Sequence, residues 1–199
     1  MKVYGDLYSG NCYKVKLALH QLGQRYEWID IDVLKAETHT PEFLALNPNG
    51  KIPLLMLDDG RTLPESNAIL NYLADGSPLL PTDRWERAQM LQWMFFEQYT
   101  HEPNVAVARF IVRYLGRPAE HEARLHTTLK NGAKALGVME AHLGEHEFFA
   151  AGRYTIADIA LYAYTHVAHE GLFELEPFPN IRAWLNRVKA QPGHVEMDG

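Results

Sequence analysis

The chain has 199 residues, a formal net charge of −6 and a hydrophobic fraction of 47%. This composition is ordinary for a globular protein, the acidic balance argues against a nucleic-acid partner, and no apolar run approaches the roughly 20 residues of a membrane span. The charged first strand starts almost at Met1, so we expect no signal peptide. The single cysteine excludes an intramolecular disulfide and fits a reducing cytoplasm.

The first predicted elements are a strand near residues 2–7 and a helix near 12–22, joined by the polar segment 8–15 (YSGNCYKV). This segment brings the hydroxyl of Ser9 and the carboxamide of Asn11 to a helix N-terminus. Unpaired N–H groups and a partial positive charge stabilise an anion there. The segment is therefore suited to hold a substrate thiolate, but it is equally typical of an ordinary N-cap.

Within this helix the apolar positions recur at spacings of three and four. The spacing predicts that Cys12, Val15 and Leu19 face the core, with Lys14 and Lys16 pointing elsewhere. A helix N-terminus can lower a thiol pKa. Because Cys12 shares the inner face, we nevertheless interpret it as a packing residue.

A strand near residues 26–32 comes next, and residues 47–60 (NPNGKIPLLMLDDG) predict a turn, a strand near 53–57 and a second turn. Pro53 opens its strand at a position that needs no ladder donor. A further strand near 61–63 completes the predicted hairpin.

The helix predicted near residues 66–75 provides a second candidate site at its N-terminus. Ser66 stands at the cap, and Glu65 supplies a carboxylate beside it. An α-amino acid carries a carboxylate and an ammonium on one carbon. Ser66 with the helix amides can bind the former, and Glu65 the latter.

The chain is predicted to divide at residues 77–84, which have the Pro and Ser content of a linker. This separates a domain over 1–76, where strands and helices alternate, from a helical domain over 85–199. In the helical part, Pro103 predicts a kink or a break, and Gly144 is predicted to end a helix.

A helix over residues 155–169 is apolar nearly all round, which predicts that it forms the buried centre of the helical domain. Thr155 and Asp158 form a capping-box variant at its start, with a hydroxyl at the cap and a carboxylate three residues on. We therefore interpret Asp158 as structural and not catalytic. The last helix is predicted to start at Pro179.

Four segments together resemble one family: 8–12 (YSGNC), 41–48 (PEFLALNP), 51–53 (KIP) and 65–66 (ES). In order and separation they are similar to the soluble, cytosolic-type glutathione S-transferases, in particular to bacterial theta-, nu- and beta-like members. The resemblance continues to the C-terminus. It implies an α+β fold, with an N-terminal thioredoxin-like βαβαββα domain followed by an all-helical C-terminal domain.

The resemblance implies a cytoplasmic homodimeric enzyme with glutathione as co-substrate and no metal. Its activity would be detoxification, in which the glutathione thiolate attacks small hydrophobic electrophiles. Because Asn11 stands where beta-like members carry a cysteine, a glutathione-dependent disulfide reductase or peroxidase is a second hypothesis. A non-catalytic glutathione-fold binding protein is the third.

The resemblance also assigns site residues one by one. Ser9 matches the serine that donates to the glutathione sulfur, Asn11 is the other candidate donor, and Tyr4 is interpreted as core. The remaining glutathione contacts implied by the family pattern are His39, Lys51, Ile52 through its backbone, Pro53 in the cis form, Glu65 and Ser66. His39 is a departure, since related bacterial sequences tend to carry Lys or Arg there.

The electrophile is expected to lie against the helical domain, and Tyr99 and Arg109 are the candidate contact residues because polar tips among apolar walls suit a pocket. Two histidine pairs have spacings that zinc sites often use. They are His142 with His146, and His166 with His169. Gly144 interrupts the first pair and no established zinc motif is present, so we expect no metal site.

Overall fold

The computed structural model describes residues 1–198, which form two compact units. The first comprises residues 1–77 together with the chain from Pro192 onward, and the second comprises residues 78–191. The predicted α+β class is confirmed, since the first unit has the element order βαβαββα and the second is helical. The C-terminal residues group with the first unit, whereas the sequence pattern had assigned them to the helical domain.

The first unit is built on a four-stranded mixed sheet with the strand order β2-β1-β3-β4. Its strands are β1 (Lys2–Gly5), β2 (Glu27–Asp30), β3 (Leu54–Met56) and β4 (Thr62–Pro64). β1 pairs with β2 in parallel, and the pairs β1–β3 and β3–β4 are antiparallel. A parallel pair requires a crossover connection, which α1 provides.

Three helices accompany this sheet: α1 (Gly10–Gln21), α2 (Pro41–Leu46) and α3 (Ser66–Leu73). α1 packs against α3. The core between sheet and helices is formed by buried apolar side chains from both, namely Val3, Val15, Leu19, Leu55, Ile69 and Leu73.

Lys14 and Lys16 point away from the apolar core that contains Val15 and Leu19, as predicted, but both side chains are buried. Helix α1 is covered on more than one face. Residues 192–198 pack along it, where Lys16 Nζ donates to the carbonyl of Met197 at 3.0 Å and the Tyr13 hydroxyl donates to the carbonyl of Val195 at 2.7 Å. A simple inside-outside pattern therefore does not apply to this helix.

The second unit contains five α-helices: α4 (Arg84–Phe96), α5 (Glu102–Arg109), α6 (Glu122–Leu143), α7 (Ile156–Thr165) and α8 (Pro179–Lys189). Gly144 is the C-cap of α6, as predicted. Within residues 1–198, no helix combines the length and the apolar character needed to cross a membrane.

The predicted interruption at Pro103 takes the form of a π-helical turn over Glu97–His101, directly before α5. Pro103 has no N–H group and its ring clashes with the carbonyl four residues earlier, so a regular α-helix cannot run through it. A second π-helical turn, Phe110–Tyr114, follows α5. Such turns are rare and occur frequently at functional sites.

Helix α7 is the buried centre of the second unit, as its composition predicted, and every one of its residues is buried. The predicted capping box of Thr155 and Asp158 is present. The helix ends at Thr165, earlier than expected, and a 3₁₀ turn over Ala168–Gly171 follows. Leu172 closes that turn in the left-handed conformation, with φ of 70°.

Candidate functional site

Ser9 begins helix α1 as its N-cap. Its backbone is extended, and its Oγ accepts a hydrogen bond of 3.4 Å from the backbone N–H of Cys12. The capping interpretation is therefore confirmed. Accepting this bond uses one lone pair, and the hydroxyl keeps its own proton for donation to a sulfur or oxygen atom. Capping and donation to a thiolate are compatible roles for the same side chain.

A chain of hydrogen bonds connects the N-termini of α1 and α3. Lys14 Nζ donates to Ser66 Oγ at 3.3 Å, and Ser66 Oγ donates to Asn11 Oδ1 at 3.3 Å. Ser66 is buried and Asn11 is half-buried. The two segments that the sequence singled out separately, around residues 8–15 and 65–66, thus meet in one polar cluster. Each helix also directs its positive dipole end toward this cluster.

The prediction that Ser66 caps α3 is wrong, because the N-cap is Glu65 and Ser66 is the first residue of the helix. Glu65 has an unusual backbone conformation, with φ of 70° and ψ of 108°. A positive φ is uncommon for a residue other than glycine, and this ψ lies outside the left-handed helical region. Such strain costs on the order of 1–3 kcal/mol and persists only when the surroundings impose it, as they do at ligand sites. The Glu65 side chain is exposed and makes no capping bond to the helix.

Asn47 holds the segment before β3 in place. This residue belongs to the motif at 41–48, but it was not predicted as a site residue. Its Nδ2 donates to the carbonyl of Lys51 at 2.7 Å, and its Oδ1 accepts from the N–H of Asn49 at 3.1 Å. The Ile52–Pro53 peptide bond is cis, as the family resemblance implied.

The backbone of Ile52 does not take part in the sheet. The ladder between β1 and β3 begins at Leu54, two residues later, so Ile52 lies outside it. Lys51 is exposed and Ile52 is half-buried. An extended peptide can therefore pair with the Ile52 backbone in strand fashion.

His39 lies beside the same turn. Its Nδ1 is 2.9 Å from Thr38 Oγ1, and a Cβ on Gly50 would lie 3.4 Å from its Nε2. Gly50 has φ of 60°, and its added Cβ would also come within 3.2 Å of the carbonyl oxygen of Thr38. Because the two loops approach so closely, only a glycine fits well at position 50. His39 therefore lies next to Gly50, the residue before Lys51.

Cys12 is buried in the first unit, and Tyr4 is half-buried and packs against its neighbours. Burial raises the pKa of the Cys12 thiol to about 12, against smaller lowering effects that include a hydrogen bond from Ser9. The Tyr4 hydroxyl is 3.9 Å from the sulfur of Met56, and its ring packs edge-on against Phe43. A neutral buried thiol is a poor nucleophile, so Cys12 is a packing residue.

In the second unit, Tyr99 and Arg109 have opposite environments. Tyr99 lies in the first π-helical turn with 87% of its surface exposed, whereas Arg109 is 2% exposed. The Nε and Nη2 atoms of Arg109 are each 2.7 Å from Glu170 Oε2, which Arg113 also contacts at 3.0 Å. Glu170, the residue after His169, is thus the counter-ion of two arginines.

The histidine pairs pack with aromatic rings. The rings of His142 and His146 are 4.4 Å apart, and burial lowers the pKa of His142, whose Nε2 lies 3.3 Å from the carbonyl oxygen of Phe148. His166 stacks on Tyr162. Among residues 1–198 no group of three or more His, Cys, Asp or Glu side chains is arranged to hold a metal ion.

Comparison with known proteins agrees with this geometry. Residues 3–80 match the family model of the glutathione S-transferase N-terminal domain, and residues 104–192 match that of the C-terminal domain. A glutathione S-transferase from Arabidopsis thaliana is 30% identical over 210 residues, covering 99% of this chain and 94% of that protein.

Solved structures match over nearly the whole chain. A glutathione S-transferase from Pseudomonas fluorescens is 57% identical, with a TM-score of 0.97 and 98% of both chains covered. A glutathione transferase from Phanerochaete chrysosporium, solved in complex with oxidized glutathione, is 30% identical, with a TM-score of 0.87 and coverage of 96% of this chain and 91% of that one. The chain therefore belongs to the glutathione S-transferase family.

Proposed function

We propose that this protein is a glutathione transferase that binds glutathione on its first unit and activates the thiol as a thiolate for attack on small hydrophobic electrophiles. The observation that carries the proposal is the hydrogen-bonded cluster of Asn11, Ser66 and Lys14, which joins two helix N-termini. A tripeptide with an amino-acid group at one end and a thiol in the middle matches two adjacent anion sites.

The energetic requirement for thiolate formation is modest. Lowering a thiol pKa by about two units needs roughly 2.7 kcal/mol of preferential stabilisation of the anion. A hydrogen bond to a charged group supplies about 1.5–3 kcal/mol, and a helix N-terminus adds about 0.3–1 kcal/mol. The Ser9 hydroxyl at the start of α1 can supply the first contribution, with Asn11 as the second donor. No metal and no general base are required.

The other candidate residues bind the remaining parts of glutathione. Ser66 and the amides of α3 bind the γ-glutamyl carboxylate, and Glu65 binds the γ-glutamyl ammonium. The backbone of Ile52, before cis Pro53, pairs with the cysteinyl residue in strand fashion. Lys51 and His39, which lie at the turn before β3, bind the glycyl end of glutathione.

On the second unit, we propose Tyr99 and Arg109 as residues of the electrophile pocket. Tyr99 is the proposed contact residue because its ring is exposed and carries a polar hydroxyl. Arg109 is buried and paired with Glu170, so it supports the wall of the pocket without contacting the electrophile. A cytoplasmic location is part of the same proposal and is supported by the unpaired Cys12.

Parallel assays with purified protein test the function. We expect conjugation of glutathione to an aryl halide, together with glutathione binding by calorimetry. Strong reduction of hydroxyethyl disulfide without conjugation would replace the proposal by a disulfide reductase. Glutathione binding with neither activity would indicate a non-catalytic binding protein, and absence of glutathione binding would contradict all three.

We also propose a homodimer, which is supported by large exposed side chains along one stretch of the second unit. Trp85 is 70% exposed and Phe95 is 69% exposed. Stable dimer interfaces are rich in such aromatic residues. Sedimentation velocity at micromolar concentration should give a dimer for the wild type and a monomer for Phe95→Glu. Val138→Glu is the matched control, since Val138 is an exposed apolar residue on α6, and it should remain dimeric.

A further inference from the structure

Asp6 lies in the short connection between strand β1 and helix α1, three residues before Ser9. Its Oδ1 accepts the backbone N–H of Tyr8 at 2.8 Å, and its carbonyl oxygen accepts the N–H of Ser9 at 3.0 Å. The side chain and the main chain of one residue thus bind two successive N–H groups. An Asp side chain that bonds the backbone two residues on forms a turn, so Asp6 determines how the chain enters α1.

This turn reaches the Ser9 hydroxyl through the backbone of Ser9. The Ser9 N–H is bound by Asp6, and the Ser9 carbonyl accepts the N–H of Tyr13 at 2.8 Å. Ser9 Oγ accepts the N–H of Cys12 at 3.4 Å. Helix α1 therefore supplies two of these bonds to Ser9, and Asp6 supplies the third from the side of the strand. The bond between Asp6 Oδ1 and Tyr8 keeps the turn closed, so that the Asp6 carbonyl is directed at Ser9.

The two residues between Asp6 and Ser9 are not fixed by burial. Leu7 is 38% exposed and Tyr8 is 47% exposed, although both have large side chains. The path of this connection therefore depends on its hydrogen bonds more than on packing. A displacement of about 1 Å at a reacting group can cost about 100-fold in rate. A small opening of this turn is thus sufficient to weaken the donation from Ser9 to a sulfur atom.

The charge of Asp6 and its hydrogen bond have opposite effects on a thiolate at the start of α1. Burial is the main cause that raises the pKa of the Cys12 thiol, and the negative charge of Asp6 raises it further. The same sign holds for a substrate thiolate bound there, because like charges repel. The useful contribution of Asp6 is therefore its acceptor oxygen, which an uncharged asparagine also provides.

We propose that Asp6 is a positioning residue for the thiolate donor: by accepting the Tyr8 N–H group, it holds the turn that presents the Ser9 hydroxyl to the glutathione sulfur. This inference rests on the proposed transferase function with Ser9 as the main donor. Asp59 is the matched control. In the turn between β3 and β4, its Oδ1 accepts the N–H of Arg61, also two residues on, at 3.1 Å. That turn contains no proposed site residue.

The test measures the pH dependence of the catalytic constant, and KM for glutathione, in four proteins: wild type, Asp6→Ala, Asp6→Asn and Asp59→Ala. Asp6→Ala should shift the midpoint to higher pH by about one to two units, which lowers the catalytic constant about 10- to 100-fold at neutral pH. KM should stay within about threefold, because the residues that bind the tripeptide are unchanged. Asp6→Asn should keep the activity, and its midpoint should not rise. Asp59→Ala should lose stability and keep the wild-type profile.

A second measurement titrates the ultraviolet absorbance of the bound thiolate, and so does not require turnover. Asp6→Ala should titrate at higher pH than wild type. Asp6→Ser, whose hydroxyl accepts the same bond more weakly, should lie between Asn and Ala and takes the place of an Asp6→Ala protein that does not fold.

Two results would overturn the role of Asp6 and leave the glutathione site intact: wild-type profiles in Asp6→Ala and Asp6→Ser, or the same raised midpoint in Asp6→Asn. A wild-type profile in Ser9→Ala would also overturn it, because Asp6 would then have no donor to position. If the wild type neither binds glutathione nor conjugates it, the proposed function itself fails.

Discussion

The indole Nε1 of Trp184 donates a hydrogen bond of 3.0 Å to Asp158 Oδ1, and both side chains are fully buried. The same carboxylate accepts the backbone N–H groups of Thr155 at 2.9 Å and of Phe149 at 3.2 Å. One carboxylate thus connects the start of α7, the preceding loop and α8. Because it is far from water, its charge state is coupled to the stability of the helical unit.

We predict that Asp158 makes stability depend on pH. Burial raises the pKa of this carboxyl from 3.8 to about 6, although its hydrogen bonds lower it in part. The native state therefore holds the proton more tightly than the unfolded chain. The resulting stabilisation is fully present below about pH 4 and is lost as the pH rises through about 6, and a shift of this size corresponds to about 3 kcal/mol.

Urea unfolding of wild type and Asp158→Asn at a series of pH values isolates this contribution, since other groups cancel in the difference. The stability of the wild type relative to Asp158→Asn should fall between about pH 4 and pH 7. Trp184→Phe removes a donor that favours the carboxylate, so its decline should extend to higher pH. A difference that is constant over this range would contradict the prediction.

The assignment of the thiolate donor predicts a specific kinetic effect. Ser9→Ala should raise the pKa of bound glutathione and cost about 2–4 kcal/mol of transition-state stabilisation, as for other preorganised donors. Asn11→Ala should cost less. The pH dependence of the catalytic constant measures this directly, because it reports the pKa of the thiol in the complex.

Ser9 also caps α1, so the loss of the cap must be separated from the loss of the donor. Glycine is almost as favourable as serine at an N-cap, whereas alanine costs about 1 kcal/mol of stability. Ser9→Gly and Ser9→Ala should therefore lose similar activity but differ in stability, and Ser9→Thr should retain both. An unchanged pH profile in Ser9→Ala with a shifted one in Asn11→Ala would transfer the donor role to Asn11.

Cys12 should be chemically inert in the folded protein. A thiol with a pKa near 12 and no exposed surface has almost no thiolate at pH 8. Iodoacetamide should therefore fail to label native protein and should label it fully in urea, as measured by mass spectrometry. Cys12→Ala should mainly lower stability. Loss of activity in Cys12→Ala at unchanged stability would indicate covalent thiol chemistry.

Removing Glu170 from its ion pair with Arg109 should strongly destabilise the second unit. Glu170→Gln would leave the guanidinium of Arg109, which is 2% exposed, without its counter-charge. Breaking a buried pair costs about 3–5 kcal/mol, and we expect the lower end of that range because Glu170 is 27% exposed. Urea unfolding at neutral pH measures the loss.

A surface pair in the same unit provides the comparison. Arg117 Nη2 and Glu122 Oε1 are 2.7 Å apart, but the two side chains are 49% and 54% exposed. Exposed pairs are screened by water and contribute little to stability, so Glu122→Gln should have little effect. Combining Arg109→Met with Glu170→Gln should recover part of the stability lost in Glu170→Gln alone. Equal losses in Glu170→Gln and Glu122→Gln would contradict the assignment.

The order and type of the main elements could be predicted from the sequence because they depend on local signals. The capping box of Thr155 and Asp158 lies within four residues, and the apolar character of residues 156–165 is visible in the chain itself. Pro103 predicted an interruption of the helix because a proline ring constrains the backbone wherever it occurs. The pattern could not show that the interruption is a π-helical turn, since a proline removes one hydrogen bond but does not determine which carbonyl groups the neighbouring N–H groups then bond.

What the sequence determined by itself was the chemistry present at each helix start: Ser9 and Asn11 at the start of α1, and Glu65 and Ser66 at the start of α3. Only the tertiary structure decided that Ser66 bonds to Asn11 and that Lys14 lies behind both. The reason is physical. Periodicity distinguishes one face of a helix from the other, but α1 is covered on several sides, and the segment that covers part of it comes from beyond residue 191. Contacts between such distant parts of the chain leave no local signal.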